Sequence, residues 1–346
     1  MSSSRGVVAA GASRWSWPSE GALAVNGRWL ATKLGAALLT LVFVLIFNFF
    51  LFRVMGDPLA QLSRVPGATE EQTAELRANL GLDDPLATQF VAYAGDTLTG
   101  DLGVSYRTRE PVTDSILRAL PWTLLLVGAG TLLATLIGSW LGVAAAKRRG
   151  KRSDDGLLGF SLFTYAAPEY WIGIILILLF AVATPLFPSG GQITPGVDFP
   201  SFGAEAIDVA GHLVLPLAAM TLMLLGQYFL IMRSSMVDVM TEDFITAKRA
   251  TGMSRDRVIS RHAVPNALLP LVTLSAIQFG AVAGGAITIE TIFSWPGLGE
   301  LNWLAITDKD FPVLQGTFLV FSVGVILANL AADVLYFVLD PRVQTR

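Results

Sequence analysis

The sequence contains six long apolar segments, and they constrain its fold more than any other feature. They cover residues 30–52, 120–146, 157–183, 212–232, 268–292 and 311–339. Each can cross a hydrocarbon core of about 30 Å as a helix, which takes roughly 20 residues. Lipid offers the backbone no hydrogen-bond partners, and these segments lack the strict alternation of barrel strands. We therefore predict an all-α, polytopic membrane protein with six transmembrane helices.

The composition excludes several other classes of protein. Hydrophobic residues make up 53% of the 346 residues and charged residues only 15%, and the mean hydropathy of +0.59 is too high for a soluble domain. The chain has no cysteine and only two histidines, which excludes disulfides, thiolate chemistry and a histidine metal cluster. No basic patch with interleaved aromatic residues suggests nucleic acid. The partner that the composition does imply is membrane lipid.

The distribution of Lys and Arg predicts the orientation in the membrane. If the N-terminus is inside, 17 of the 24 basic residues fall in segments on the cytoplasmic side. Six of the others lie in one long loop, where basic residues are tolerated on the outside. We expect both termini to be cytoplasmic.

The chain divides into a tail and a membrane domain. Residues 1–28 form a predicted cytoplasmic tail, in which Trp15 and Trp17 suit the membrane interface. Residues 29–346 form the six-helix domain. Its outer segment, residues 56–118, has the signals of a helix over 69–79 and of a second short helix between two turns. Near its end, residues 294–299 predict a tight turn, and a helix over 300–307 follows.

A polar loop over residues 241–265 separates the fourth and fifth apolar segments. Thr241 is suited to cap a first helix, which carries acidic residues at its start and basic ones at its end. Gly252 predicts a left-handed stop, and Ser254 is suited to cap a second helix that ends before Pro265. Two short helices joined at such a corner fit a groove on a partner protein. The alternative is a solvated amphipathic loop.

Five polar residues inside the apolar segments are candidates for a transport pathway: Glu169, Gln227, Gln278, Asn329 and Asp333. We interpret Glu169 and Asp333 as the two carboxylates within spans, where charge is costly. Pro168 favours a kink beside Glu169. A polar contact between helices is the alternative for Asp333. A proton-driven carrier would use both carboxylates.

No catalytic pattern is present. The chain has no Gly-x-Ser-x-Gly, no His-Glu-x-x-His and no phosphate-binding Gly-x-x-x-x-Gly-Lys-Ser/Thr loop. We therefore expect no enzyme activity and no cofactor in this chain. A membrane-anchored receptor that transports nothing is a further alternative.

Several motifs resemble the DppB/OppB-type permease subunits of bacterial ABC importers. The loop resembles their "EAA" coupling loop, with Thr246-Ala247-Lys248 where the motif reads Glu-Ala-Ala and with His262 where an aliphatic residue is common. The other matching motifs are Gly56-Asp57-Pro58, Leu80-Gly81-Leu82-Asp83, Gly100-Asp101-Leu102-Gly103, Leu120-Pro121-Trp122-Thr123-Leu124, Asn266-Ala267-Leu268-Leu269-Pro270, Glu290-Thr291-Ile292-Phe293-Ser294-Trp295-Pro296-Gly297-Leu298-Gly299, Asp310-Phe311-Pro312-Val313-Leu314-Gln315-Gly316 and Asp340-Pro341-Arg342.

The resemblance implies a type I importer fold in the bacterial plasma membrane. It implies a second homologous permease subunit, two cytoplasmic ABC ATPase subunits that bind ATP and Mg, and an extracytoplasmic substrate-binding protein. Di- or oligopeptides are the expected substrates, with nickel, glutathione, haem and oligosaccharides as alternatives. Contact with the ATPase is expected at Asp243, Ala247, Lys248, Ala250, Gly252, Arg257 and Pro265. Trp295, Pro296, Gly297 and Gly299 mark the outer turn.

Overall fold

The computed structural model describes residues 27–55, 83–281 and 286–339, and within them the fold is all-α. The only β feature in these ranges is an isolated bridge between Val104 and Pro111. The helices are α1 (Gly27–Met55), α2 (Leu86–Thr99), α3 (Val112–Lys147), α4 (Arg152–Ala166), α5 (Glu169–Ile177), α6 (Phe202–Val239), α7 (Asp243–Ala250), α8 (Arg255–Val258), α9 (Val264–Ala267), α10 (Leu269–Ala281), α11 (Ile287–Ile292), α12 (Leu298–Asp308) and α13 (Phe311–Leu339). Two π-helical turns, Leu178–Ala183 and Ile259–Ala263, extend α5 and join α8 to α9.

Four of the helices are long and apolar enough to cross a membrane. The qualifying stretches are Gly27–Phe52, Val112–Lys147, Phe202–Val239 and Phe311–Val334. They coincide with the first, second, fourth and sixth predicted spans. Within the fifth predicted span, residues 268–292, the structure describes α10 and α11 and leaves 282–285 outside the described residues.

The third predicted span is broken rather than continuous. The axes of the two halves, Arg152–Ala166 and Glu169–Ala183, differ by 103°. The break lies at Ala167, whose backbone is extended at φ −68° and ψ 136°. A residue before proline avoids the α conformation, and Pro168 lacks an N–H. The kink expected at Pro168 is thus present and is large enough to separate α4 from α5.

Close packing of α3 against α6 forms the centre of the bundle. At Gly130, Gly138 and Gly142, a Cβ would lie within 2.5–2.7 Å of the side chains of Met220, Tyr228 and Met232, respectively. Small residues at such positions let two backbones approach within a membrane, where packing rather than the hydrophobic effect drives helix association. Around this pair, α4 packs on α6, and α13 packs against α1 and α10.

A partly buried ion pair joins α4 to α6 at the end of the bundle that carries Lys147, Arg233 and Lys248, here called the basic end. Arg233 donates from Nε and Nη2 to the two carboxylate oxygens of Asp154, at 2.7 and 2.8 Å. The backbone N–H of Gly150 also donates to Asp154. No local sequence pattern predicts this pair, because 79 residues separate its members.

At the opposite end, Asp310 anchors the outer segment. Its carboxylate accepts hydrogen bonds from the Ser105 hydroxyl at 2.5 Å and from the backbone N–H groups of Tyr106 and Arg107. The second predicted outer helix is present as α2, which ends at Gly100 with φ 87°. The helix predicted over 69–79 and nearly all of the tail lie outside the described residues.

Candidate coupling loop, transport cavity and outer turn

The loop over 241–265 forms the two short helices that the sequence predicts, α7 and α8. Gly252 lies between them with φ 82°, in the left-handed region that favours glycine. A Cβ at this position would have no neighbouring atom within 4 Å. Gly252 is therefore required by backbone conformation and not by lack of space.

Two details of the loop differ from expectation. Residue Glu242 rather than Thr241 is the N-cap of α7, and the Thr241 hydroxyl instead donates to the carbonyl of Asp238 at the end of α6. The second helix does not end before Pro265 but runs on through α9. A π-helical turn precedes the proline, and in it Val264 N–H donates to the Ile259 carbonyl. This wider turn accommodates the ring, which would clash with the preceding turn of a regular α-helix.

The loop has buried apolar residues that pack into the bundle and exposed residues that face away from it. Ile245 and Val258 have no exposed surface, and Ile259 and Ala263 are also buried, in the same core as Met232 and Met236 of α6. All seven predicted contact residues are exposed: Asp243, Ala247, Lys248, Ala250, Gly252, Arg257 and Pro265. The loop thus anchors its apolar side in the bundle and leaves its predicted contact residues uncovered.

Polar contacts also tie the loop to the end of α3. The Arg255 guanidinium donates to the Lys147 carbonyl at 3.3 Å, and the Lys147 ammonium lies 3.9 Å from the Asp256 carboxylate. Surface contacts of this kind contribute at most about 1 kcal/mol. The apolar anchors therefore provide most of the attachment.

A cavity of about 410 Å³ brings together three of the five predicted pathway residues: Glu169, Gln227 and Gln278. Gln278 Nε2 donates to Gln227 Oε1 at 3.0 Å, which links α10 to α6. Glu169 begins α5, directly after the break at Ala167 and Pro168. The break in the third predicted span therefore places a carboxylate at the cavity wall.

Asn329 and Asp333 do not line this cavity. Asn329 is exposed on α13. Asp333 forms an ion pair with Lys33 of α1 at 2.7 Å, and the Lys33 ammonium also lies 5.8 Å from the ring centre of Trp29. This arrangement matches the alternative interpretation of Asp333, a polar contact between two helices.

The outer turn closes on a buried carboxylate, Glu290. Its Oε2 accepts hydrogen bonds from the backbone N–H groups of Gly299 and Glu300 at 2.6 and 3.2 Å, at the start of α12. Its Oε1 accepts one from the Thr123 hydroxyl at 2.7 Å, and that hydroxyl accepts from Leu298 N–H. Glu290 thus caps α12 and joins it to α3.

The four predicted residues of the outer turn lie around this carboxylate. Trp295 is fully buried, donates from Nε1 to the Trp122 carbonyl at 3.1 Å and meets the Trp122 ring edge to face. Pro296 is partly buried in the turn. A Cβ at Gly297 would overlap the Glu290 carboxyl group, and a Cβ at Gly299 would lie 2.6 Å from Ile287 Cα. Both glycines are required by lack of space.

The interpretation that only Glu169 and Asp333 lie within spans is wrong. Glu290 lies in the fifth predicted segment and has no exposed surface. Its position inside an apolar segment, shortly before Gly-Leu-Gly, was the signal that could have identified it. The neighbouring Glu300 carboxyl lies just outside the segment, where burial, with a contribution from the Glu290 charge, raises its pKa to about 7.

Within the described ranges, no group of three His, Asp or Glu side chains is placed to hold a metal ion.

Comparison with known proteins identifies the family. Residues 134–345 match the model for the binding-protein-dependent transport system inner membrane component, and residues 27–127 match the model for the N-terminal part of such membrane components. The chain is 36% identical to the dipeptide transport system permease protein DppB of Escherichia coli K12, over 92% of this chain and 98% of that protein. It is also 36% identical to the di/tripeptide permease protein DppB of Pseudomonas aeruginosa, over 91% and 98% of the two chains.

The oligopeptide transport system permease protein AppB of Bacillus subtilis is likewise 36% identical, over 84% of this chain and 90% of that protein. These matches agree with the long apolar helices and the all-α architecture. The chain therefore belongs to the family of inner membrane permease components of binding-protein-dependent transport systems.

Proposed function

We propose that this chain forms half of the translocation path of an ATP-driven importer of di- or oligopeptides. The named relatives transport dipeptides, di- and tripeptides, and oligopeptides. Their similarity extends over nearly the whole chain, including the helices that line the cavity. A second homologous permease completes the path, and an extracytoplasmic binding protein delivers the peptide.

The observation that carries this proposal is the structure of the coupling loop. Its apolar anchors enter the core of the bundle, while its polar residues are displayed around the corner at Gly252. Two cytoplasmic ATPase subunits bind ATP and Mg, and one of them holds this corner in a groove. Movement of the ATPases then passes through Ile245 and Val258 to α6. Asp243, Ala247, Lys248, Ala250, Gly252, Arg257 and Pro265 form the contact surface.

The coupling role also supports an orientation. Since ATPases of this kind act on the cytoplasmic side, the basic end faces the cytoplasm, in agreement with the excess of Lys and Arg there. Both termini are then cytoplasmic, and the outer turn and outer segment face the binding protein. The membrane is the bacterial plasma membrane.

A proton-driven carrier is less well supported by the geometry. Asp333 is paired with Lys33, and it does not share the cavity with Glu169. The two carboxylates therefore do not form one relay.

The test is gentle purification of the chain from its native membrane, followed by mass spectrometry of the proteins that remain bound. We expect a second permease of this family and a P-loop ATPase. The purified complex, reconstituted with its binding protein, should take up L-alanyl-L-alanine when ATP is inside the vesicles and should continue when the proton gradient is collapsed. A chain that purifies alone and transports after reconstitution without ATP would overturn the proposal.

A further inference from the structure

The cavity beside the break between α4 and α5 has features of a ligand site. Its volume of about 410 Å³ falls within the roughly 300–1,000 Å³ of small-molecule sites. Its wall combines apolar residues such as Met220, Met223 and Leu224 with polar groups, and the two kinds contribute about equally to its surface. Convergent polar groups set among apolar side chains are typical of specific binding sites.

The cavity lies far from the basic end of the bundle, and it is open on the side where Glu169 is exposed. Thr131 lines it and precedes Lys147, at the basic end of α3, by 16 residues, which corresponds to roughly 24 Å of helix. Gln227 precedes the end of α6 by 12 residues, or roughly 18 Å. These depths lie within a hydrocarbon core of about 30 Å, where unpaired polar groups are costly.

Several polar groups of the cavity have unused bonding capacity. The Thr131 hydroxyl belongs to a side chain that is 1% exposed, and it has no hydrogen-bond partner in the described part of the chain. Gln227 and Gln278 are joined by one hydrogen bond, although each amide group can make more. Among the described residues, no cation pairs with the Glu169 carboxylate.

We propose that this cavity is a binding subsite for a zwitterionic peptide in transit, in which the Glu169 carboxylate binds the peptide's α-ammonium group. The Gln227 and Gln278 side chains bind the peptide amide, because side-chain amides and peptide groups have matching donors and acceptors. The Thr131 hydroxyl supplies a further hydrogen bond. This inference rests on the proposed function and adds the chemical group that the path recognises.

The position of Glu169 has a simpler explanation that must be separated from this one. An acidic residue in the first turn of α5 is favoured by the helix dipole. The dipole does not account for an unpartnered Thr131 hydroxyl or a glutamine pair on the same cavity. The two explanations differ in whether the charge contributes to peptide binding.

The test measures equilibrium binding of radiolabelled L-alanyl-L-alanine to the intact complex in nanodiscs, without the binding protein. We expect saturable binding to the wild type, with N-acetyl-alanyl-alanine a poor competitor because it lacks the ammonium group. Glu169→Gln should weaken binding about tenfold or more, the effect of losing a charge-assisted hydrogen bond. The matched control is Glu205→Gln, which removes an exposed carboxylate of α6 away from the cavity and should leave binding unchanged.

A second pair of variants tests the hydroxyl. Thr131→Val removes the cavity hydroxyl with little change in shape and should weaken binding severalfold. Thr221→Val removes another buried, unpartnered hydroxyl that does not line the cavity, and it should not weaken binding. Equal loss in both variants would indicate a structural effect and overturn the role of Thr131.

Three results would overturn the subsite: no binding to the wild type, equal competition by the acetylated peptide, or wild-type affinity in Glu169→Gln. ATP-driven uptake is measured on the same complexes with the binding protein added. If uptake of L-alanyl-L-alanine is normal but these binding results fail, the subsite is wrong and the proposed function stands. If the wild type imports no peptide at all, the proposed function itself is wrong.

Discussion

Two corners of the chain, one at each end of the bundle, require glycine for different reasons. At the basic end, Gly252 has φ 82° and open space around it. At the opposite end, Gly297 and Gly299 are fully enclosed and lie against the Glu290 carboxylate. The first corner depends on a backbone conformation and the second on the absence of a side chain.

This difference indicates that the outer corner is stabilised by contacts within the chain, whereas the corner at Gly252 is available for contact with another protein. The outer corner bonds the Glu290 carboxylate to Thr123 and to the start of α12, so its carboxylate is satisfied within this chain. The corner at Gly252 leaves its polar residues exposed, so their bonding groups are available to another protein. Four substitutions test this contrast, and they follow in order of decreasing expected effect on stability.

The largest effect is expected from Gly299→Ala. The new Cβ would lie 2.6 Å from Ile287 Cα and 2.8 Å from a Glu290 oxygen, and backbone cannot move as readily as a flexible side chain. We expect a loss of about 3 kcal/mol in stability, measured as a lower thermal unfolding temperature of the purified complex. Gly156→Ala, on α4 with nothing within 4 Å, is the matched control and should not lower the unfolding temperature, because alanine favours a helix over glycine. An unchanged melting temperature in Gly299→Ala would show that the outer corner is not closely packed.

Glu290→Ala should have the next largest effect. The backbone N–H groups of Gly299 and Glu300 and the Thr123 hydroxyl would lose their acceptor. Leaving buried donors unpaired costs about 2–3 kcal/mol here. Glu290→Gln retains an acceptor oxygen and should recover part of the melting temperature. Equal destabilisation by the two variants would argue that shape, and not hydrogen bonding, holds the corner.

Gly252→Val should cost less stability, about 1–2 kcal/mol for a non-glycine residue in the left-handed region. Its main consequence concerns coupling, because a displaced corner would no longer fit the ATPase groove. We expect ATP hydrolysis by the reconstituted complex to continue with little peptide uptake. Gly252→Asn, which tolerates the left-handed conformation, should retain uptake. Wild-type uptake per ATP in Gly252→Val would contradict the role of the corner.

The smallest effect is a dependence of stability on pH through Glu300, because this side chain is partly exposed and solvent screens its interactions. Its pKa is raised to about 7 in the folded chain from a usual value of 4.5, so the folded state holds a proton that the unfolded state releases between these values. Stability from this group should therefore fall as pH rises from 4.5 to 7. Glu300→Gln should flatten the change in melting temperature between pH 5.5 and pH 8. The same slope in both proteins would assign the dependence to other groups.

How much the sequence predicted depends on the distance between interacting residues. The left-handed conformation of Gly252 follows from local signals, since helix-forming residues stop there and restart at once. The break at Pro168 also follows from local chemistry, although its angle does not. By contrast, the bonds of Asp154 to Arg233 and of Glu290 to Thr123 join residues far apart in sequence, and no local pattern indicates them.

The membership of the cavity also could not be predicted from the sequence. The sequence indicated five polar residues in apolar segments, but it could not show which of them share a cavity. Helix packing brings Glu169, Gln227 and Gln278 together and places Asp333 against Lys33 instead. Thr131 was missed because threonine is common in membrane helices and only its missing partner marks it.

The π-helical turn at Ile259–Ala263 sets the angle by which the coupling loop is rotated relative to α10. The hydrogen bond of such a turn spans five residues, one more than that of an α-helical turn, and each residue of an α-helix advances the chain by roughly 100° and 1.5 Å. Shortening this turn by one residue would rotate α7 and α8 by about that angle relative to α10. The angular setting of the corner is thus held by a single additional residue.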